Sequence, residues 1–120
     1  MRDHRKLDVF VLADSLAVRV YEATRLFPED ERFGLTSQIR RAAVSVGANI
    51  VEGAARTSDA DFARLLGIAY SSACELEYEL SIASRLGYLN PCHDQDIQAL
   101  SSRTCRALRG LITRVRSDAS

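Results

Sequence analysis

The chain has 120 residues, 16 basic and 16 acidic side chains, and an apolar fraction of 47%. A chain of this length forms one domain that buries roughly two-thirds of its unfolded surface without disulfides or metal ions. Its formal net charge of zero gives no general argument for a nucleic-acid partner. No segment approaches the roughly 18 consecutive apolar residues of a membrane helix, and the polar N-terminus lacks the apolar region of a signal peptide. We therefore expect a cytoplasmic protein without a membrane partner.

The first helix is predicted at about residues 8–26, where apolar side chains recur three and four positions apart. Residues 1–6 before it are mostly charged and predict a frayed arm. Phe27 and Pro28 end the helix, because a proline disfavours helical geometry in the residue before it.

The second helix, predicted at about residues 35–56, carries the clearest pattern in the chain. Phe33 and Leu35 are expected to pin the preceding connection to the core. At 100° per residue, the apolar side chains of this helix fill one arc of roughly 120°. The stripe consists of Leu35, Ile39, Ala42, Ala43, Val46, Ile50, Gly53 and Ala54. This face is predicted to meet a core.

Two further helices complete the chain. The third is predicted at about residues 58–87, because Ser58 and Asp61 match a capping box before a long apolar seam. The fourth is predicted at about residues 91–116, with a proline at its first position.

Four amphipathic helices with short connections and no strand pattern predict one fold class. We expect an all-α protein, an antiparallel up-down four-helix bundle. Neither a repeat nor a linker divides the chain, so residues 1–120 are predicted to form a single domain.

A line of polar side chains borders the apolar stripe of the second helix and would face a similar group on the third. The members are Gln38, Arg41, Ser45, Asn49 and Glu52 on the second helix, and Ser72 and Glu75 on the third. One interpretation is a half-buried polar network that fixes helix register, in which case Arg41→Ala should lower the melting temperature. The alternative is a groove for a ligand or partner.

The remaining side of the second helix is small and largely apolar, so that helix needs a second neighbour. Its residues are Val44, Gly47, Ala48, Val51 and Ala55. We predict that they form a contact with another copy of the chain.

The one basic cluster lies in the fourth helix without acids between its members. It consists of Arg103, Arg106, Arg109, Arg114 and Arg116. Guanidinium groups suit phosphate, so this cluster is a candidate nucleic-acid surface. The alternative is a solvated helix face, or one that pairs with the acids of the third helix.

The residue types needed for catalysis are sparse or poorly placed. His4 lies in the arm and His93 in a first helical turn, which leaves no evident base for a nucleophile. The three glutamates of ELEYE lack the Glu-x-x-His pattern of carboxylate metal sites in bundles. The cysteines are odd in number and have no CxxC spacing, which favours reduced thiols. We therefore expect no enzymatic activity, no metal and no cofactor.

The run FPEDERFGLTSQIRRAAVSVGANIVEG, followed by RTSDADFARLLGIA, ELEYEL and LGYL, resembles the four-helix-bundle proteins encoded in 23S rRNA intervening sequences, the S23 family. The similarity covers nearly the whole chain. Relatives form pentameric rings, so the resemblance implies a homopentamer. It also implies a role with RNA or ribosomal components, and a related branch works with a reverse transcriptase.

These observations lead to one functional hypothesis and one alternative. We predict a non-enzymatic, oligomeric scaffold whose partner is RNA or an RNA-handling protein, such as a ribosomal component or a reverse transcriptase. The alternative is a purely protein-binding assembly subunit without nucleic-acid contact.

Overall fold

The computed structural model describes residues 1–119, which contain four α-helices, two short 3-10 turns and no strand. The α-helices are α1 (Asp8–Thr24), α2 (Leu35–Ala54), α3 (Asp59–Arg85) and α4 (Pro91–Ala119). The 3-10 turns span His4–Lys6 and Glu29–Glu31. The all-α prediction is confirmed, and the helix bounds differ from the predicted ones by at most three residues.

Two helices begin at side-chain caps, of which the one at Ser58 was predicted. The Ser58 hydroxyl accepts a hydrogen bond from the Asp61 amide at 3.1 Å and starts α3. The Asn90 side chain accepts the Cys92 amide at 2.9 Å, and Pro91 occupies the first position of α4. These bonds satisfy amides that have no partner within the helix.

The four helices pack in a ring in which each lies against the two beside it, while no Cα atoms of diagonally opposite helices come within 8 Å of each other in the described residues. Contacts join the end of each helix to the start of the next, as between Ser84 and Asp94, whose side chains lie 2.6 Å apart. The helices therefore run alternately up and down in a bundle of 46 × 23 × 20 Å.

The core consists of two clusters of buried apolar side chains along the bundle. One surrounds Phe62 and Leu108, and the other includes Leu16, Ile39 and Ile97. All five of these side chains are at most 2% exposed. Their burial supplies the main driving force for folding.

Two expectations about the connections are wrong. The arm is not frayed, because Arg2 forms a salt bridge with Asp59 and lies 4.2 Å from the ring centre of Phe62. Its backbone amide also donates to the Ala54 carbonyl at 2.7 Å. Phe33 does not reach the core, since it is 88% exposed, whereas Leu35 is partly buried and packs against the cluster of Leu16 and Ile39, as expected. The arm is ordered because Arg2 pairs with Asp59. Phe33 is exposed because it lies in the tight turn before α2.

Candidate functional site

Three of the polar residues predicted to face one another meet between α2 and α3. The hydroxyls of Ser45 and Ser72 lie 2.9 Å apart. Asn49 donates its amide to the Ser45 carbonyl at 2.8 Å and to the Ser45 hydroxyl at 3.1 Å. All three side chains are half-buried. They join the two helices near their midpoints.

The other predicted members of that line do not join this contact. Gln38, Arg41 and Glu75 are exposed. Glu52 instead accepts a hydrogen bond from Arg56, one turn along α2, at 2.9 Å. Only side chains at the very edge of the apolar stripe reach the facing helix, so the line breaks up toward solvent.

Glu79 is a buried carboxyl on the same side of α3 as Ser72, two turns further along. It is 4% exposed, and its Oε1 has no hydrogen-bond partner within the described residues. Burial raises the pKa of Glu79 to about 7, and a hydrogen bond to Glu75 and its charge add to this effect. The sequence pattern did not single out this residue as buried.

The five arginines of the predicted nucleic-acid surface are all exposed on α4. None of them forms a salt bridge within the described residues. Glu77 of α3 accepts a hydrogen bond from the hydroxyl of Ser102, the residue before Arg103, at 2.7 Å. Arg103 and Arg106 line a surface pocket of about 530 Å³ between α1 and α4.

A second cationic region lies where α1 ends and α2 begins, and sequence reasoning missed it. Its residues line a surface pocket of about 370 Å³. They are Tyr21, Arg32, Phe33, Thr36, Ser37, Arg40 and Arg41. A visible signal was the recurrence of arginines around one helix start, at Arg32, Arg40 and Arg41.

The predicted self-association face lies on the side of α2 next to α1. Val44 is 48% exposed and Val51 is 36% exposed. Ala48 and Ala55 are exposed as well, and Gly47 is half-buried. On α1, Val11, Val18 and Tyr21 are also exposed.

Other sites are absent from the part of the chain that the structure describes. No group of three or more His, Cys, Asp or Glu side chains there is arranged to hold a metal ion. The helices of residues 1–119 are too short or too polar to cross a membrane. The three cysteines are free thiols.

These features define a small antiparallel helical bundle whose distinctive chemistry lies on its surfaces: two cationic regions and one apolar face. The chain belongs to the 23S rRNA-intervening sequence protein family, which matches residues 5–110. The resemblance stated from the sequence is confirmed.

The chain has the same fold as the crystal structure of a Bacteroides thetaiotaomicron protein with unknown function from the S23 ribosomal protein family. The TM-score is 0.78 and the sequence identity is 32%, over 87% of this chain and 97% of that chain. No curated protein matches the chain.

Proposed function

We propose that this chain is a non-enzymatic scaffold of the cytoplasm that assembles with copies of itself and binds RNA. The observation that supports RNA binding is the set of five exposed α4 arginines, none of which has a carboxylate partner among residues 1–119. A cation that is already paired gains less from a phosphate than an unpaired one, because the existing pair must first be broken.

The spacing of these arginines suits an extended phosphate backbone. Arg103 and Arg116 are thirteen positions apart on one helix, which corresponds to about 20 Å along its axis. Phosphates recur along a nucleic-acid strand at short, regular distances, so several could be contacted at once. Self-association would repeat this surface and multiply its electrostatic attraction.

The test is fluorescence anisotropy of a labelled, structured RNA titrated with protein over a series of salt concentrations. We expect the affinity to fall steeply with salt, because each phosphate contact releases bound counterions. Arg103/Arg106/Arg109→Ala should reduce the salt slope by about 2–3, since one contact contributes about 0.7–0.9.

The matched control is Arg25/Arg64/Arg85→Ala, which removes the same charge from exposed positions outside α4. It should keep the affinity within about threefold of the wild type if the α4 surface is the binding site. Equal weakening by both triple variants would show general charge attraction and contradict the assignment. Absence of binding at low salt would favour the alternative, a protein-binding assembly subunit.

The observation that favours self-association is the exposed apolar surface on α1 and α2. Val44→Lys should lower the molar mass measured by size-exclusion chromatography with light scattering, because a buried ammonium in the interface is costly. Ile68→Lys is a control at a 43% exposed apolar position on α3. Five copies are expected from the family resemblance, and an unchanged mass in Val44→Lys would contradict this interface.

A further inference from the structure

The pocket between the end of α1 and the start of α2 is lined by three guanidinium groups and no carboxylate. Arg32, Arg40 and Arg41 form no salt bridge within residues 1–119. Three positive charges around about 370 Å³ repel one another, and an anion in the pocket would relieve that repulsion.

Two of these guanidinium groups are held in place by neighbours that leave their charge uncompensated. Arg40 lies over the Tyr21 ring at 4.7 Å from its centre, and its Nε donates to the Thr24 hydroxyl at 2.8 Å. Arg32 lies 5.2 Å from the centre of the Phe33 ring. A stacked guanidinium still presents N–H groups along its edges, which is the geometry that phosphate oxygens accept.

The start of α2 adds hydrogen-bond donors to the same pocket. Thr36 is 7% exposed, and its hydroxyl has no hydrogen-bond partner within the described residues. A buried hydroxyl without a partner is unusual in a native protein, and a bound ligand is one explanation. The first backbone bond of α2 runs from the Gln38 amide to the Gly34 carbonyl, so the amides of the first turn precede the helical ladder.

Glu31 is the acid closest to this helix start, and both of its oxygens are already engaged. Its Oε1 accepts the Leu35 amide at 3.2 Å, and its Oε2 accepts the Tyr88 hydroxyl at 3.0 Å. This carboxylate therefore stabilises the turn before α2, and it forms no salt bridge with the arginines of the pocket within the described residues.

An exposed aromatic ring stands beside these donors. Phe33 is 88% exposed, so its ring is accessible to a stacking partner even with the Arg32 guanidinium 5.2 Å from the ring centre. Aromatic side chains serve as platforms for nucleic-acid bases. We propose that this pocket binds a phosphate monoester attached to a nucleoside, with the phosphate at Arg32, Arg40, Arg41 and Thr36 and the base against Phe33.

This site is separate from the α4 surface, and either can fail without the other. Isothermal titration calorimetry of the wild-type protein with adenosine 5′-monophosphate should give a saturable Kd at or below about 1 mM. Inorganic phosphate should bind more weakly because it lacks the base, and adenosine should bind least because it lacks the charge. Failure to observe saturable binding of either phosphate compound would overturn the proposal.

The decisive variant is Arg41→Ala, because this exposed side chain makes no hydrogen bond within the described residues, and we therefore expect its removal to leave the fold intact. We expect Kd for adenosine 5′-monophosphate to rise by about tenfold or more. Arg64→Ala removes an exposed arginine of α3 outside the pocket and should leave Kd unchanged. Equal weakening in both variants would indicate general charge attraction and overturn the assignment.

Thr36→Val tests the hydroxyl in a side chain of the same shape. Since the hydroxyl has no protein partner, we expect the melting temperature to hold or rise while Kd increases about three- to tenfold. If Kd is unchanged both in Thr36→Val and in Arg41→Ala, the ligand binds elsewhere.

Phe33→Ala should make the affinity for adenosine 5′-monophosphate equal to that for inorganic phosphate. If the nucleotide still binds more tightly in this variant, its base does not contact Phe33.

A phosphate monoester occurs both in free nucleotides and at the 5′ end of RNA. A short single-stranded RNA with a 5′-phosphate and the same RNA with a 5′-hydroxyl distinguish these sources. Both are titrated into the Arg103/Arg106/Arg109→Ala protein, so that the α4 surface does not contribute. Preference for the 5′-phosphate identifies an RNA end as the ligand, and saturable binding of the nucleotide without that preference identifies a free nucleotide.

Discussion

Polar side chains lie on both flanks of α2, but those on one flank have different partners from those on the other. On the flank facing α3, Ser45 and Asn49 bond to each other, and Ser45 lies against Ser72. On the flank facing α1, Arg40 stacks on an aromatic ring. Arg41 lines the same pocket, is exposed, and forms no hydrogen bond within the described residues. One flank satisfies its polar groups within the protein, and the other leaves charges available to an outside partner.

This difference shows that polar side chains on one helix can either join it to a neighbouring helix or remain available to bind a partner. Small hydroxyl and amide groups fit between two closely packed helices, and their hydrogen bonds to each other compensate for the loss of hydrogen bonds to water. Long guanidinium side chains extend past the helix edge and keep their charge near solvent. We therefore expect substitutions on the α3 flank to change stability, and substitutions on the α1 flank to change binding.

Two glycines of α2 give the largest expected contrast in packing. A Cβ at Gly53 would lie 3.1 Å from both Leu65 Cβ and Phe62 Cδ1, whereas a Cβ at Gly47 would meet nothing within 4 Å. Gly53→Val should reduce the free energy of unfolding by about 2–3 kcal/mol, because it overpacks the α2–α3 contact. Urea unfolding followed by circular dichroism measures this.

The control for that variant is Gly47→Ala on the opposite flank. Alanine favours a helix over glycine, so this change should raise the free energy of unfolding by about 0.5–1 kcal/mol. A clear loss of stability in Gly47→Ala would mean that another copy of the chain covers this position. Tolerance of Gly53→Val would contradict the close approach of α2 to α3.

The buried carboxyl of Glu79 should make the free energy of unfolding depend on pH. Its pKa is raised from 4.5 to about 7 in the folded protein, so the folded state binds the proton more tightly than the unfolded state. The stabilisation from the protonated carboxyl is complete below the unfolded pKa and is lost as the pH rises through about 7. Glu79→Gln should therefore stabilise the protein by about 1–2 kcal/mol near pH 8, and by much less near pH 5.

Thermal unfolding of the wild type and of Glu79→Gln over this pH range measures the effect as a growing difference in melting temperature. Glu75→Gln is the informative companion, because it removes the neighbouring charge but leaves Glu79 buried. It should reduce the pH dependence without abolishing it. Parallel pH profiles for the wild type and Glu79→Gln would show that Glu79 keeps its ordinary pKa.

The sequence predicts those features that depend on a few neighbouring residues. The Ser58 cap and the proline start of α4 are local, so both were predictable and both are confirmed. The pocket at the start of α2 was not predictable, because it combines a turn with side chains from two helices. Phe33 precedes the first helical turn of α2, so the periodicity of the helix does not predict that this side chain is exposed to solvent.

The smallest expected change in the free energy of unfolding is the coupling between Ser45 and Ser72, and it tests directly whether the flank facing α3 differs from the pocket side of α2. Ser45→Ala and Ser72→Ala, combined in a double-mutant cycle, should show a coupling of about 0.5–1 kcal/mol, because their hydroxyls bond to each other. Arg41→Ala should change the free energy of unfolding by less than about 0.5 kcal/mol and show no coupling to Ser72→Ala, since Arg41 touches no polar group on α3. Urea unfolding of all five variants measures both quantities. A clear loss of stability in Arg41→Ala would instead extend the register-fixing network to the solvent edge of α2, and the distinction between a closed and an open flank would then fail at this residue.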